Sequence, residues 1–161
     1  MTKTFDISPA TPNDVRHILR FIQELADYER EPNAVIATPQ DLHQVLFCEH
    51  PKVFCVICRE GTQPVGFALY FFNFSTWLGR FGLYLEDLYV TPEHRGKGAG
   101  KKLLAHLAAT AVAENCGRFE WSVLNWNTPA IDFYESMGAR PQSEWTTYRL
   151  TGDALRRLAA A

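Results

Sequence analysis

The chain predicts an α/β fold: a mixed, mainly antiparallel sheet with helices on both faces. Three observations carry this. Strand-like and helix-like periodicities follow one another in the order β-α-α-β-β-β-α-β-α-β. Two β-rich runs sit back to back across a Gly/Pro turn, as in an antiparallel hairpin. The helical runs keep their apolar residues on one face, so they must pack on something.

Taken in order, "FDIS" (Phe5–Ser8) opens as a short strand. Thr11-Pro12-Asn13-Asp14 starts a helix, with Thr as cap, Pro in the first turn and Asp reaching back. Val15, Ile18, Leu19, Ile22, Leu25 and Ala26 follow at helical spacing, to an end near Tyr28-Glu29. Thr38-Pro39-Gln40-Asp41 repeats the start for a shorter helix through Phe47. "KVFCVICRE" and "PVGFALYFFNF" form the hairpin, and "LYLEDLYV" is a further strand closed by Thr91-Pro92. A helix from Gly98 carries Leu103, Leu104, Leu107, Ala108, Ala111 and Val112 on one face and stops near Asn115-Cys116-Gly117. "RFEWSVL" reads as a strand, Thr128–Met137 as a helix ended by Gly138, and "WTTYRL" as a last strand before a weakly amphipathic tail.

At 161 residues, without repeat, linker or low-complexity tract, one domain spanning 1–161 is expected. A formal net charge of −2 argues against a nucleic-acid or membrane-surface binder. No apolar run is long enough to span a bilayer and "MTKTFDISPA" lacks a signal-peptide core, so a cytoplasmic protein is expected. The four cysteines fit reduced, buried thiols. Cys55-x-x-Cys58 lies on a strand, where an odd separation sends the two side chains to opposite faces, and no second pair completes a metal site. His17, His43, His50, His94 and His106 show no metal spacing either, although His94 lies close enough to the next segment to touch an anion.

That segment, "EHRGKGAGKKLL" (Glu93–Leu104), packs three glycines into five residues at a strand-to-helix junction, beside Arg95, Lys97, Lys101 and Lys102. The P-loop pattern fails, because Lys102 stands where Ser or Thr is required. The dinucleotide fingerprint fails as well, because Lys101 stands where its third glycine would be. The physics is still that of an anion cradle. Glycines let backbone approach closely, and a helix N-terminus presents free N–H groups. The alternative is a mobile surface turn with a solvated basic rim.

The loop Arg95-Gly96-Lys97-Gly98-Ala99-Gly100 resembles the R/Q-x-x-G-x-G/A pyrophosphate loop of the GNAT superfamily of N-acetyltransferases. The resemblance extends to its diamine acetyltransferase branch through "ELADYE" (Glu24–Glu29), "LYLEDLYV" (Leu83–Val90), "WNTPAIDFYESMGA" (Trp126–Ala139) and Trp145. "NFSTWLGR" (Asn73–Arg80) and "VLNWN" (Val123–Asn127) lean toward the thialysine-acetylating members. It implies a GNAT-type fold and direct, sequential transfer of acetyl from acetyl-CoA, without a metal, to a primary amine of a small cationic substrate: a thialysine-like amino acid, a diamine or a polyamine. It also implies a homodimer with substrate sites near the subunit boundary, to which 13% aromatic residues would be suited.

Site residues follow from the same resemblance. Arg95, Gly96, Lys97, Gly98, Ala99, Gly100 and Lys101 would hold the pyrophosphate; the backbone of Leu88, Tyr89 and Val90 would pair with the pantetheine arm; Asn127 and Ala130 would complete the cofactor contacts. Asn127 could equally cap the helix at Thr128. Tyr134 matches the acid that protonates the leaving thiolate, a phenol being protonated at neutral pH; packing into the core is its alternative. Glu86 is expected nearest the reacting amine. An ordinary carboxylate is too acidic to strip an alkylammonium efficiently, so relay through water, a raised pKa or plain electrostatic anchoring is the expected role. An ion pair with Arg80 or Arg95 is the other reading. Adjacent strand residues face opposite sides, so Glu86 and Asp87 reach one pocket only across a bulge. Tyr28, Glu29, Asp87 and Trp77 would bind substrate, although Glu29 could be a solvated helix-end carboxylate. Ser75 replaces an acidic residue of polyamine acetylators, Asp27 replaces a basic one, and the segment around Trp145 is short and lacks a preceding glycine, which shifts the expectation from spermidine toward a thialysine or lysine-like amine. A protein-directed acetyltransferase and a non-catalytic acyl-CoA sensor are the competing functions.

Overall fold

The computed structural model describes residues 4–161. They form two compact units, one running to Ser122 and the other Val123–Ala161. The first holds β1 (Phe5–Pro9), α1 (Val15–Tyr28), α2 (Pro39–Leu46), β2 (Val53–Glu60), β3 (Gln63–Ser75), β4 (Arg80–Val90), α3 (Ala99–Ala113) and β5 (Phe119–Trp121). Its five strands lie in sequence order; β1 to β4 pair antiparallel, and β5 runs parallel to β4. The second unit holds α4 (Thr128–Ser136) and α5 (Gly152–Ala159).

Both predicted helix starts close as read. The Asp14 carboxylate accepts from the Thr11 N–H at 2.9 Å and the Thr11 hydroxyl at 3.2 Å. At α2 the exchange is reciprocal, Asp41 N–H donating to Thr38 Oγ1 and Thr38 N–H to Asp41. Asp14 is buried and also meets Arg59 of β2 at 2.5 Å. Burial opposes its charge, but the Thr11 and Arg59 hydrogen bonds and the guanidinium's field outweigh that and hold its pKa below the usual value. This ties the start of α1 to the sheet.

Strand alternation divides the core. Val15, Ile18 and Phe21 of α1 and Leu42 and Leu46 of α2 pack with Cys55, Ile57, Phe67 and Tyr89. Val56, Cys58 and Ala68 point the other way and are buried too. Helix α3 contacts β1, β2, β3 and β4, and its Lys102 ammonium donates to the Phe5 carbonyl. The helices thus cover both faces, as expected.

Three expectations are corrected. "WTTYRL" forms no strand: residues 146–150 have no assigned strand or helix, and β5 is cut to three residues. Alternating β-branched and aromatic residues make a strand only where a neighbouring edge accepts them, which propensity alone does not supply. Of the four cysteines only Cys55 and Cys58 are buried; Cys48 is exposed just beyond α2, and Cys116 is half-buried at the end of α3. Burial raises the pKa of Cys58 to about 11 and pushes Cys55 up further, so both act as small core residues.

Close approach is enforced at Gly66, paired with Val90. A Cβ there would stand 2.6 Å from the Tyr89 carbonyl oxygen and 3.3 Å from Val90 Cα, both backbone atoms that cannot swing aside. Gly66→Ala is therefore expected to destabilise the fold by about 1–3 kcal/mol, lowering Tm by several degrees. An unchanged melting curve would show that β3 and β4 have slack at this point.

Candidate active site

The site begins with an irregularity in β4. Leu69 of β3 pairs with Asp87, but Tyr70 pairs with Leu85, leaving Glu86 as an extra residue. This is a β-bulge, the device by which two consecutive side chains reach the same side. Glu86 and Asp87 both line a cavity of about 430 Å³, with Ile22, Leu25, Ala26 and Glu29 from α1 and Ala34, Val35, Ile36 and Ala37 from the following loop. Three carboxylates therefore face one apolar-walled space. Burial, then the charges of Glu86 and Glu29, raise the Asp87 pKa to about 6. Burial also raises that of Glu29.

Strand β5 pairs with β4 only at Leu83–Leu85, so among the described residues no strand is paired with Leu88, Tyr89 and Val90 on that side. The chain then turns through Thr91–His94 into the glycine loop. Gly96 and Gly98 take φ of +70° and +93°, the left-handed region that side chains rarely adopt. Gly98 precedes the first turn of α3, whose leading N–H groups lack intrahelical acceptors. That turn contains no acidic side chain. A backbone anion cradle fits this arrangement.

The cations beside the loop are arranged differently from expectation. Lys97 Nζ donates to the Glu93 carbonyl at 2.5 Å, and Lys102 to Phe5. Arg95 Nε donates to the Val90 carbonyl at 2.8 Å, and its guanidinium carbon lies 5.2 Å from the ring centres of both Tyr28 and Tyr89. These three side chains are held by protein carbonyls, whereas Lys101, in the first turn of α3, is exposed. His94 is buried, with Nδ1 at 2.7 Å from Thr91 Oγ1 and Nε2 at 3.2 Å from Glu60. It braces the turn and is not turned toward an anion. Among the described residues Glu86 makes no ion pair with Arg80 or Arg95, and no His/Cys/Asp/Glu cluster could hold a metal ion.

Trp77 stands at the tip of the β3–β4 hairpin, 81% exposed. At roughly 3.3 Å per residue it is some 20 Å or more along the strand from Glu86, and it does not line the cavity. Ser75 is spent in the same turn, its hydroxyl accepting from the Leu78 N–H at 3.3 Å. In the second unit Asn127 is buried at the N-cap of α4, and its side chain makes no capping hydrogen bond. Ala130 lies in the first turn of α4; Tyr134, further along it, is half-buried, its ring 5.6 Å from Phe133. Sequence reasoning missed the apolar run Ala34–Ala37, which carries no periodicity or motif and joins the cavity by tertiary packing alone.

A five-stranded, largely antiparallel sheet with a bulged and partly unpaired β4 running into a glycine cradle defines an acyltransferase class. The profile of the Acetyltransferase (GNAT) family matches residues 18–139, and the chain belongs to that family. It is 39% identical over 164 residues to the thialysine N-epsilon-acetyltransferase of Sus scrofa, covering 95% of this chain and 96% of the relative. It is 33% identical to the L-ornithine N5-acetyltransferase of Arabidopsis thaliana, covering 91% and 84%. A solved integron cassette protein from the mobile metagenome of V. cholerae superposes with a TM-score of 0.81 at 32% identity, covering 100% of this chain and 99% of that one.

The raised Asp87 pKa has a stability consequence. A carboxyl whose folded pKa exceeds its unfolded value of 3.8 destabilises the fold as pH rises through that interval, the cost being complete above about pH 6. Asp87→Asn is therefore expected to be more stable than the native protein at pH 7–8, by up to about 3 kcal/mol. Denaturant titrations should show the gain shrinking toward pH 4. A gain independent of pH would mean that charge is not its source.

Proposed function

We propose that this chain transfers acetyl from acetyl-CoA to the terminal amine of a small aliphatic cation, of the thialysine, lysine or ornithine type or a diamine. The observation that carries it is the bulge, which turns Glu86 and Asp87 with Glu29 into one cavity beside the open edge of β4. A primary ammonium on a methylene chain matches both the carboxylates and the walls of Ile22, Leu25 and Ala34–Ala37. The names of the relatives, thialysine and ornithine acetyltransferases, support the same substrate class.

Acetyl-CoA would supply the activated thioester. The main-chain N–H groups of Arg95 to Lys101 would hold its pyrophosphate, with the positive-φ glycines and the start of α3 as support for this fit. The strand Leu88–Val90 would lie along its pantetheine arm, and one of its N–H groups would steady the tetrahedral oxyanion. Asn127 and Ala130 would complete the cofactor contacts. Asp87, with a pKa near 6, suits proton uptake from the amine at neutral pH better than an ordinary carboxylate. Glu86, exposed on the bulge, would receive and orient the ammonium. Tyr134 would protonate the departing thiolate.

We read the two units as one acetyltransferase domain, because the family match crosses the division at Ser122. A homodimer belongs to this reading: Phe74, Trp77, Leu78 and Phe81 leave an exposed apolar patch at the hairpin end that a second copy would cover, and Trp77 would act on substrate only through that copy. Free thiols at Cys55 and Cys58 go with a reducing, cytoplasmic setting.

The test is release of CoA thiol across thialysine, lysine, ornithine, diamines and spermidine. Saturable turnover is expected with the aliphatic amines, with kcat/KM rising through about pH 6 as Asp87 ionises. Tyr134→Phe is expected to lower kcat about 100-fold or more. Tight acetyl-CoA binding without turnover of any amine would sink the reading in favour of a sensor; turnover of peptides alone would move it to protein substrates.

A further inference from the structure

We propose that the side chain of Arg95 is a positioning residue of the amine site, clamping the end of α1 to β4, and is not a ligand for phosphate. The consequence for amine binding rests on the acetyltransferase reading above; the clamp itself does not.

Arg95 sits at the entrance of the glycine loop, yet its side chain points back out of it. Nε donates to the Val90 carbonyl, and the guanidinium carbon lies over the rings of Tyr28 and Tyr89 at equal distance. The two rings differ in what holds them. Tyr89 is in the core, 5.9 Å from the Phe21 ring of α1. Tyr28 is the last residue of α1 and is partly exposed, so Arg95 joins the end of a helix to a core strand. The next residue, Glu29, lines the carboxylate cavity. A cation is also well sited at a helix C-terminus, where the carbonyls converge. The loop can bend away while its first side chain turns back because the following residue, Gly96, adopts φ +70°. The Val90 bond and the two ring contacts hold the side chain back toward β4, while the terminal nitrogens keep donors of their own, so the acetyl-CoA titration decides whether any of them also meets phosphate. The geometry also explains why arginine is needed. A lysine can lie over one ring, but it cannot stack its head group between two while donating from the side.

The experiment uses the full chain with Arg95→Met and Arg95→Lys. Without ligand, amide hydrogen exchange at residues 25–30 is expected to quicken roughly tenfold in Arg95→Met and less in Arg95→Lys, with the β2–β3 amides unchanged. Calorimetric titration of acetyl-CoA is expected to change Kd by less than about threefold, while the amine KM rises roughly tenfold with kcat little altered. Unchanged exchange at the helix end overturns the clamp. So does acetyl-CoA binding weakened tenfold or more with amine KM unaffected, which would make Arg95 a phosphate ligand. If the native protein turns over no amine, the acetyltransferase reading fails, while exchange and acetyl-CoA titration still decide the clamp. If Arg95→Met does not fold, Tyr28→Leu tests the clamp from the other side: faster exchange with unaltered acetyl-CoA binding supports it, and unaltered exchange overturns it.

Discussion

Everything proposed for this protein depends on one extra residue in β4. A regular antiparallel pairing would put Glu86 and Asp87 on opposite faces, one into the α1 layer and one toward α3. By leaving Glu86 without a partner, the bulge resets the alternation. Leu85 stays with Tyr70, Asp87 and Tyr89 turn to the α1 side, and Glu86 is free to reach the same cavity. The bulge also coincides with the point where β5 stops following β4. One local defect thus delivers both an acidic cavity and an unpaired strand edge a few residues apart on the same strand, which is the juxtaposition an amine and an acyl donor require.

The cavity is electrostatically costly to the fold. Three carboxylates share it, and for Asp87, the most buried of them, burial and then the charges of Glu86 and Glu29 raise the pKa to about 6. An entering ammonium would relieve that repulsion, so the electrostatic cost of the cavity and the proposed binding of a cation would have the same source. The apolar loop residues Ala34–Ala37 line one side of the cavity, and under the proposed function they would suit a charge carried at the end of a hydrocarbon chain.

Most of the fold was legible in the sequence because its signals are local. The Thr-Pro-x-Asp starts of two helices, the Gly/Pro hairpin turn and Gly138 at φ +92° after α4 each act within a few residues. The failures are non-local. "WTTYRL" has the composition of a strand and no edge to join, and "RFEWSVL" yields a strand only where Leu83–Leu85 offer one. At the site, the need for a bulge could be stated from Glu86-Asp87 alone, but whether it forms is decided by how β3 pairs. Side-chain direction was the least legible: Arg95, Lys97, Lys102 and His94 cluster around the loop in sequence, and each one is turned to a protein partner.

That last fact bears on how the loop would recognise a polyanion. Ammonium and guanidinium groups already held by carbonyls contribute a diffuse positive field that gathers anions more than it orients them. Orientation must then come from groups fixed by the backbone: N–H vectors set by two left-handed glycines and by the first turn of α3, which cannot rearrange without unwinding the helix. A cradle of this kind holds a pyrophosphate at one height relative to β4. Because β4 also carries Asp87, the position of the acyl group and the position of the amine would be set by the same strand, and the reacting atoms would be brought into register by the sheet itself rather than by mobile side chains.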